Sequence, residues 1–489
     1  MQPTYHASPL ALPQIFNLPV FYASHISHLD TMSLQPKPFR AKLYLTIHEA
    51  LVLSQLAESP LGSELRSLEC QPAAPQPAKQ AVHKMLDVIK MMLPELPRLE
   101  HFHYAEELNQ ILQIDEDLIR ALYGAARLSH LAMGRFVVHH TLYLSKALPS
   151  DCTWALTTIN LAQLRLGGDN FQTRTFLADL LAAARQSVRA LTLDVEELFI
   201  RPVESEPSLR TFFPLLQHVT VKNARMNEET ARAIYAAPNL RSIAISLHDD
   251  SFQDDEFQFP FAMAPTGLTV SNWGSTRYSK SRTRLHALIK HNPGLTHVNI
   301  RPVPNSRIAD AMVLDSILAP LSQYNKACVS LSAQAGPCLV SPAALLYLSD
   351  MRMLKQIRLE LQTMDSAPTI INHDDVQTQL KPLEHLRCLI IDGQVESRLA
   401  PAVWDDATLE EHQEERRLAT VKDDLLALAA SYAMTFPDLQ VLGINKCWFE
   451  FENVAGESCI TKAVFDQAEA EKAPYALKSS FRVDEHMRV

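Results

Sequence analysis

One short pattern recurs about a dozen times along the chain. In Leu386–Ile391 (LRCLII) it reads apolar, two variable residues, apolar, one variable residue, apolar. Clear copies begin at Leu65, Leu99, Leu128, Leu161, Val188, Leu216, Leu240, Leu295, Leu354, Leu386 and Leu439, and weaker copies at Leu268 and Lys326. Copies start 24 to 34 residues apart, except for a last step of 53 residues. A period of this size predicts a stacked solenoid with one strand and one helix per unit.

Composition narrows the class of protein further. The chain has 489 residues, 47% apolar and 20% charged, which is ordinary for a globular protein but too long for one compact core. A net charge of −10 makes nucleic acid an unlikely partner, because nucleic-acid binding usually needs a basic face. No apolar run reaches 18 residues and no leader precedes the first unit, which predicts no membrane partner. The seven cysteines lack CxxC spacing, which favours a cytoplasmic or nuclear protein with reduced thiols.

The sequence lacks the local motifs that are typical of catalytic, cofactor-binding and metal-binding sites. Glycine-rich phosphate loops, paired metal-ligand motifs and local nucleophile motifs do not occur in the sequence. We therefore predict no catalytic residue, no cofactor and no metal, and a protein that binds rather than catalyses. A basic cluster at 277–284 (RYSKSRTR) either holds a phosphate or an acidic partner or is the solvated start of a helix.

The residues between the copies have helical periodicity. Apolar stripes at i, i+3, i+4 and i+7 run through 82–93, 176–184 and 425–436. Proline stands two residues before the first apolar anchor in several units, at Pro97, Pro238, Pro293 and Pro437. Because the residue before proline avoids the helical region, these prolines are expected to end the helix and begin the strand.

This alternation resembles the leucine-rich-repeat family in its long, irregular, ribonuclease-inhibitor-like form, over about residues 60–450. The resemblance implies an α/β solenoid with a curved parallel sheet on its concave side and helices on its convex side. The asparagine or cysteine that usually follows each strand in the family is mostly missing, and Asn445-Lys446-Cys447 comes nearest to it. An irregular solenoid is therefore expected.

The domain prediction has three parts. Residues 1–59 form an N-terminal cap or a degenerate F-box-like region, 60–450 the solenoid, and 451–489 a C-terminal cap and tail. Acidic stretches at 248–256 and 393–418 interrupt the rhythm, and we expect loops or helices that leave the solenoid there.

The third, fifth and seventh positions of each unit should point away from the core, because side chains alternate along a strand. We call this set of positions the variable face, and in a solenoid it lines the concave side. The candidate binding residues on it are His101, His103, His130, Gln163, Arg165, His218, Thr220, His297, Asn299, Gln356, Arg358 and Asp392. Such a mixed polar surface suits a protein partner, and the alternative is an ordinary solvated side of a sheet.

Three of these histidines are expected close together on adjacent strands: His101, His103 and His130. Imidazole is a common metal ligand, but no carboxylate or thiolate is clearly placed to complete a site. Plain surface histidines are therefore the favoured interpretation.

Several units, among them LPRLEHFHY, APNLRSIAIS and FPDLQVLGINKCW, resemble those of fungal-type F-box/leucine-rich-repeat proteins. The resemblance implies a substrate receptor that joins a Skp-type adaptor in a Skp–cullin–F-box ubiquitin ligase. Residues 10–30 contain Leu12-Pro13 and Leu18-Pro19 but no recognisable F-box. Two alternatives remain open: a stand-alone interaction scaffold, and a GTPase-activating or other regulatory repeat protein that would use exposed arginines.

Overall fold

The computed structural model describes the repeats and leaves gaps between them. The described residues are 39–45, 62–72, 79–104, 112–139, 142, 144–148, 153–163, 171–195, 197–198, 212–222, 225–226, 228–246, 265–273, 279–302, 312–335, 342–361, 372–392, 411–444, 447–454 and 457–464. The chain divides into two compact units, 1–39 and 40–489. Apart from Phe39, every described residue belongs to the second unit, which is the one described below.

Short strands and helices alternate along this unit. The strands are β1 (Phe39–Leu45), β2 (Leu65–Pro72), β3 (His101–Tyr104), β4 (Leu112–Ile114), β5 (His130–Val138), β6 (Thr158–Gln163), β7 (Ala190–Asp194), β8 (Glu197–Leu198), β9 (His218–Lys222), β10 (Arg225–Met226), β11 (Ser242–Ser246), β12 (Gly267–Trp273), β13 (His297–Pro302), β14 (Ser330–Ala335), β15 (Gln356–Leu361), β16 (Cys388–Asp392), β17 (Val441–Ile444), β18 (Cys447–Val454) and β19 (Glu457–Val464). The helices are α1 (Lys79–Met92), α2 (Glu116–Gly124), α3 (Leu144–Ala147), α4 (Phe171–Ala184), α5 (Glu228–Tyr235), α6 (Ser279–His291), α7 (Met312–Tyr324), α8 (Pro342–Asp350), α9 (His373–Leu380) and α10 (Glu411–Thr435). Single 3-10 turns lie at Gly62–Glu64 and Leu93–Glu95.

Seventeen of these strands form one sheet. From β2 to β17 the sheet is parallel and follows chain order, with β4 beside the end of β5 and the short β8–β10 pair outside the sheet. Two antiparallel strands, β18 and β19, then extend it. Neighbouring helices pack side by side as their strands do, α6 on α7, α7 on α8 and α8 on α9. This two-layer stack of parallel strands and helices confirms the predicted α/β leucine-rich-repeat solenoid.

The repeated apolar positions form the core between the two layers. In the unit that begins at Leu386, the first, fourth and sixth residues (Leu386, Leu389 and Ile391) are all buried. The same three positions are buried in the units that begin at Leu99, Leu216 and Leu295. Strand alternation therefore sends these anchors toward the helices, as the pattern predicts.

Three units differ from the predicted register. Thr158, rather than Gln163, aligns with His130 and Ala190, so the unit predicted at Leu161 begins at Leu156. The stretch 156–166 (LTTINLAQLRL) satisfies the pattern in two registers five residues apart, and the burial of Leu156 and Leu161 in one unit selects the first. The two weaker copies, predicted at Leu268 and Lys326, also differ from the predicted register. The first unit begins earlier than predicted, at Pro265, and the second begins later, at Cys328.

A backbone ladder joins consecutive units where each strand begins. The carbonyl of the second residue of one unit accepts the N–H groups of the second and third residues of the next. Glu100 O thus accepts from Ser129 N and His130 N, both at 2.9 Å, and the same pair recurs from unit to unit as far as Arg387 O. From β5 to β17, the strands that begin these units therefore have their first N–H groups paired with backbone carbonyls.

A four-residue turn precedes the strand in most of the described units. Its hydrogen bond runs from the first anchor's N–H to the carbonyl three residues earlier, as from Leu240 to Ala237 at 3.2 Å and from Leu439 to Phe436 at 3.0 Å. The recurring proline occupies the second position of this turn, for example Pro238. Proline suits that position because its ring already holds φ near the value that the turn requires.

Only part of the predicted insertions and of the predicted N-terminal region falls on described residues. Residues 411–418, predicted as part of an insertion, are the first turns of α10, which continues to Thr435. The remaining insertion residues, 393–410 and 248–256, lie outside the described residues, as do the N-terminal residues 1–38 where an F-box is sought. Within the described part of the chain, no helix combines the length and the apolar composition needed to cross a bilayer.

Candidate functional site: the variable face

The sheet register brings most of the predicted binding residues into two rows. Third-position residues align across the strands, and this row contains His101, His130, His218, His297 and Gln356. Fifth-position residues form the second row, which contains His103, Thr220, Asn299 and Arg358. Asp392 is the last residue of β16, two positions beyond the fifth.

Two predicted residues do not join these rows. Gln163 ends β6 and pairs with Phe136 in β5, and Arg165 lies outside the described residues. Thr158 and Asn160 hold the third and fifth positions of that unit instead. The error follows directly from the misplaced register at Leu161.

A cluster of imidazoles lies on β3 and β5. The rings of His101 and His130 are in contact, with centroids 3.9 Å apart and planes tilted by 31°. His103 lies along the same strand, and its Nδ1 is 3.9 Å from the Glu69 carboxylate on β2. Burial, followed by the neighbouring His101, lowers the pKa of His130 to about 4, although Glu100 opposes the shift. His130 is therefore neutral near pH 7.

The arrangement of these side chains does not converge on a metal position. Among the described residues, no group of three histidine, cysteine or carboxylate side chains is placed to hold an ion. The cluster is therefore a polar patch of the variable face.

Two other third-position histidines have defined hydroxyl partners. His218 Nδ1 lies 2.7 Å from Ser242 Oγ on the next strand. His297 Nδ1 lies 2.8 Å from Thr296 Oγ1, the residue before it, and burial lowers the pKa of His297. Thus each of these rings has one nitrogen held by the protein.

Accessibility divides the fifth-position row into two parts. On β2, β3, β5, β6 and β7 the row is partly or fully exposed, and its members are Glu69, His103, Ala132, Asn160 and Thr192. From β9 onward the row is buried except for partly buried Arg358, and its buried members are Thr220, Ala244, Thr269, Asn299, Ser332, Ile390 and Gly443. Thr220 and Asn299, predicted as binding residues, are only 8% and 5% exposed. They are therefore not presented to a partner as predicted.

The far end of the variable face is apolar. Cys388 and Ile390 form a buried cluster, against which Val441 and Trp448 pack. A Cβ on Gly443 would lie 3.1 Å from Ile390 Cγ2 and 3.4 Å from Trp448 Cζ3, so the absent side chain makes room for both. The signal was visible in the sequence, because the fifth positions of LRCLII and LQVLGI are isoleucine and glycine rather than polar residues.

No protein-family model and no curated protein matches the chain. Solved structures do resemble it in fold. An internalin from Listeria monocytogenes is 13% identical with a TM-score of 0.34, and the match covers 78% of this chain and 100% of the internalin.

Two further structures are complexes. The match in the mouse RP105/MD-1 complex is 12% identical with a TM-score of 0.37 and covers 69% of this chain and 56% of that one. The match in the Toll–Spatzle complex of Drosophila is 11% identical with a TM-score of 0.33 and covers 85% of this chain and 53% of that one. Likenesses this distant carry no inference about activity. On its own strand register and buried anchors, the chain has a leucine-rich-repeat fold.

Proposed function

We propose that the chain binds a polypeptide partner through the exposed part of the variable face, on β2, β3, β5, β6 and β7. The observation that carries the proposal is the row of accessible fifth-position side chains on five parallel strands, beside an equally accessible third-position row. The third-position members of these strands are Ser67, His101, His130, Thr158 and Ala190. Five strands about 4.8 Å apart span about 19 Å, which accommodates about six residues of extended chain.

The chemistry of this surface favours a polypeptide over nucleic acid. Its described charges include the carboxylates of Glu69 and Asp194. The imidazole of His130 is neutral near pH 7, and the third and fifth positions of these five strands carry no lysine or arginine. A phosphate backbone is attracted to clustered lysine and arginine, whereas peptide amides and mixed side chains are matched by hydroxyl, amide and imidazole groups. We infer a non-enzymatic recognition role on the same grounds.

Site-specific photo-crosslinking tests the proposal. A benzophenone amino acid replaces Thr158 or Thr192 on the face, and in control chains it replaces Met91 or Met434, which are 68% and 82% exposed on helices. We expect one discrete polypeptide adduct from the face positions, in cells of the native source, and not from the helix positions. Adducts from the helix positions alone, or none from the face, would contradict the proposal.

The captured polypeptide then has to bind in purified form. Asn160→Arg places a long cation in the middle of the exposed row, and we expect it to weaken binding at least tenfold. Met434→Arg is the matched control on α10 and should leave the affinity unchanged. Equal affinities for both variants would place the partner elsewhere on the molecule.

The finer form of the proposal is a substrate receptor of a Skp–cullin–F-box ubiquitin ligase, acting in the cytoplasm or nucleus. It is supported by the sequence resemblance of the repeats. Residues 10–30, where the sequence contains no recognisable F-box, lie outside the described residues. Copurification of a Skp-type adaptor with the full chain, lost on deletion of 1–38, is the expected result. A partner captured on the face without any adaptor would instead favour a stand-alone scaffold.

A further inference from the structure

Four units have a side-chain hydroxyl bond where their strands begin, at Ser129, Thr157, Thr266 and Thr296, and in two of them a histidine comes next. Ser129 Oγ donates to Glu100 O at 3.3 Å, and Thr296 Oγ1 donates to Thr266 O at 3.0 Å. Each acceptor is the carbonyl that also takes the two backbone N–H groups of that unit. A hydroxyl has one hydrogen, so in these geometries the hydrogen of both side chains points at the preceding unit.

A histidine follows each of these hydroxyls and contacts it. The distance from Ser129 Oγ to His130 Nδ1 is 2.8 Å, and the distance from Thr296 Oγ1 to His297 Nδ1 is also 2.8 Å. Because the hydroxyl hydrogen is used on the carbonyl, the short contact needs a hydrogen on the ring. Nδ1–H therefore donates to the hydroxyl oxygen, and Nε2 of the neutral ring keeps its lone pair.

We propose that Nδ1–H is the fixed tautomer of both His130 and His297, and that Nε2 of His130, on the exposed part of the variable face, receives an N–H or O–H group of a docked polypeptide. The inference rests on the proposed function for the identity of the ligand, but the tautomer does not depend on a partner. A free neutral histidine ring prefers to carry its hydrogen on Nε2, so the proposed Nδ1–H form is the less common tautomer.

Protonation would reverse the role of each ring, because an imidazolium donates from both nitrogens. The titratable groups around His130 are His101 and Glu100 on the preceding unit, with His103 and Glu69 beyond them, and the aligned residue on the other side is Thr158. His297 lies between Gly267 and Ser330, neither of which titrates. Both rings are neutral at pH 7, and acid would turn an acceptor into a donor that repels the partner's own donor group.

Nitrogen NMR of the full chain tests the tautomers directly. Long-range ¹H–¹⁵N correlations of histidine-labelled protein distinguish Nδ1–H from Nε2–H, and His130→Asn and His297→Asn identify the two signals. We expect the Nδ1–H form for both rings at neutral pH. The Nε2–H form at either ring would overturn the assignment for that residue.

Matched substitutions of the hydroxyl residue test whether its contact with the ring fixes the tautomer. Thr296→Val keeps the side-chain volume and removes the hydroxyl, and should move His297 to mainly Nε2–H, whereas Thr296→Ser should not. His218, whose partner is Ser242, serves as an internal control and should not respond. Should Thr296→Val fail to fold, Ser129→Ala makes the same test at His130. Unchanged tautomers in both variants would refute the hydroxyl mechanism.

An affinity measurement distinguishes a failure of the acceptor role from a failure of the proposed function. The probe is the purified polypeptide captured from Thr192. We expect its affinity to fall at least tenfold in Ser129→Ala, and to fall on acidification through the pKa of His130, which is about 4. If no polypeptide is captured, the proposed function fails, and the NMR result still decides the tautomers. Unchanged affinity with altered tautomers would remove the acceptor role in recognition.

Discussion

The two parts of the fifth-position row follow the same strand alternation and have opposite surroundings. On β2, β3, β5, β6 and β7 the row is partly or fully exposed and, apart from Ala132, polar, whereas from β9 to β17 it is buried except at partly buried Arg358. At its far end it becomes an apolar contact between Ile390, Gly443 and Trp448. Alternation thus determines which face of the sheet a side chain occupies, but it does not determine whether that face is open to a partner.

The largest difference between the two parts should be found in thiol reactivity. Cys388 is 4% exposed and burial raises the pKa of its thiol to about 12, so its reactive thiolate is scarce. In a background with Cys152, Cys338 and Cys459 replaced by serine, Thr192→Cys should react with maleimide at least roughly 100-fold faster than Cys388. Labelling kinetics followed by peptide mass spectrometry measure the ratio. Similar native rates at both positions would remove the distinction between the two parts.

A reciprocal exchange at equivalent positions should affect stability very differently. Ile390→Thr loses buried methyl contacts and buries a hydroxyl, so we expect the free energy of unfolding to fall by about 2–4 kcal/mol. Thr192→Ile is the same position on β7, where the side chain is partly exposed, and should change it by no more than about 0.5 kcal/mol. Urea denaturation measures both. Comparable losses would show that burial on this row is uniform.

Adding one methyl group tests the apolar end more finely. In Gly443→Ala the new Cβ lies 3.1 Å from Ile390 Cγ2, so overpacking should cost about 1–3 kcal/mol. The control is Gly124→Ala in α2, where the closest atoms belong to Pro94 at 3.4 Å. There the substitution should stabilise the protein by up to about 1 kcal/mol, because alanine favours a helix. Effects of the same sign at both glycines would contradict the packing at Ile390.

The smallest effect concerns protonation within the exposed part. The pKa of His130 is about 4 in the folded protein and near the ordinary histidine value in the unfolded chain. Between these values the unfolded chain binds the proton and the folded protein does not, so stability falls as pH drops from about 6.5 to about 4. His101→Ala exposes the His130 ring and removes its cationic neighbour, so the pKa of His130 should rise and this loss should shrink.

NMR titration of the His130 ring measures that change directly. The buried His373, whose Nδ1 lies 2.7 Å from the Tyr432 hydroxyl, has a pKa also lowered to about 4 and should be unaffected by His101→Ala. A pKa of His130 that stays at its wild-type value in His101→Ala would show that the neighbouring ring neither covers nor repels it.

Much of the architecture could be predicted from local pattern alone. The spacing of Leu386, Leu389 and Ile391 predicts both the buried anchors and the strand that carries them, because an apolar period of this kind can bury itself only against a helix layer. The prolines before the strands predict the turns that the structure contains. Most of the histidine row, including His101 and His130, also follows from the pattern.

The register of each strand and the exposure of its side chains could not be predicted from the local pattern. LTTINLAQLRL fits the repeat twice, and only pairing with β5 and β7 chooses Leu156 over Leu161. The burial of Asn299 and Ile390 depends on neighbours far away in sequence, which a repeat pattern does not specify. Whether a partner reaches Thr220 or Thr192 is likewise a property of the assembled sheet.

The sequence by itself determined the solenoid, its strand-and-helix period and the side of the sheet that each side chain takes, because these depend on residues within a few positions of one another. The tertiary structure alone decided which part of the variable face is exposed and how far the ring of His130 is buried against its neighbours. Those properties depend on contacts between units about 30 residues apart, such as Ser129 with Glu100, where packing and hydrogen bonding are settled together.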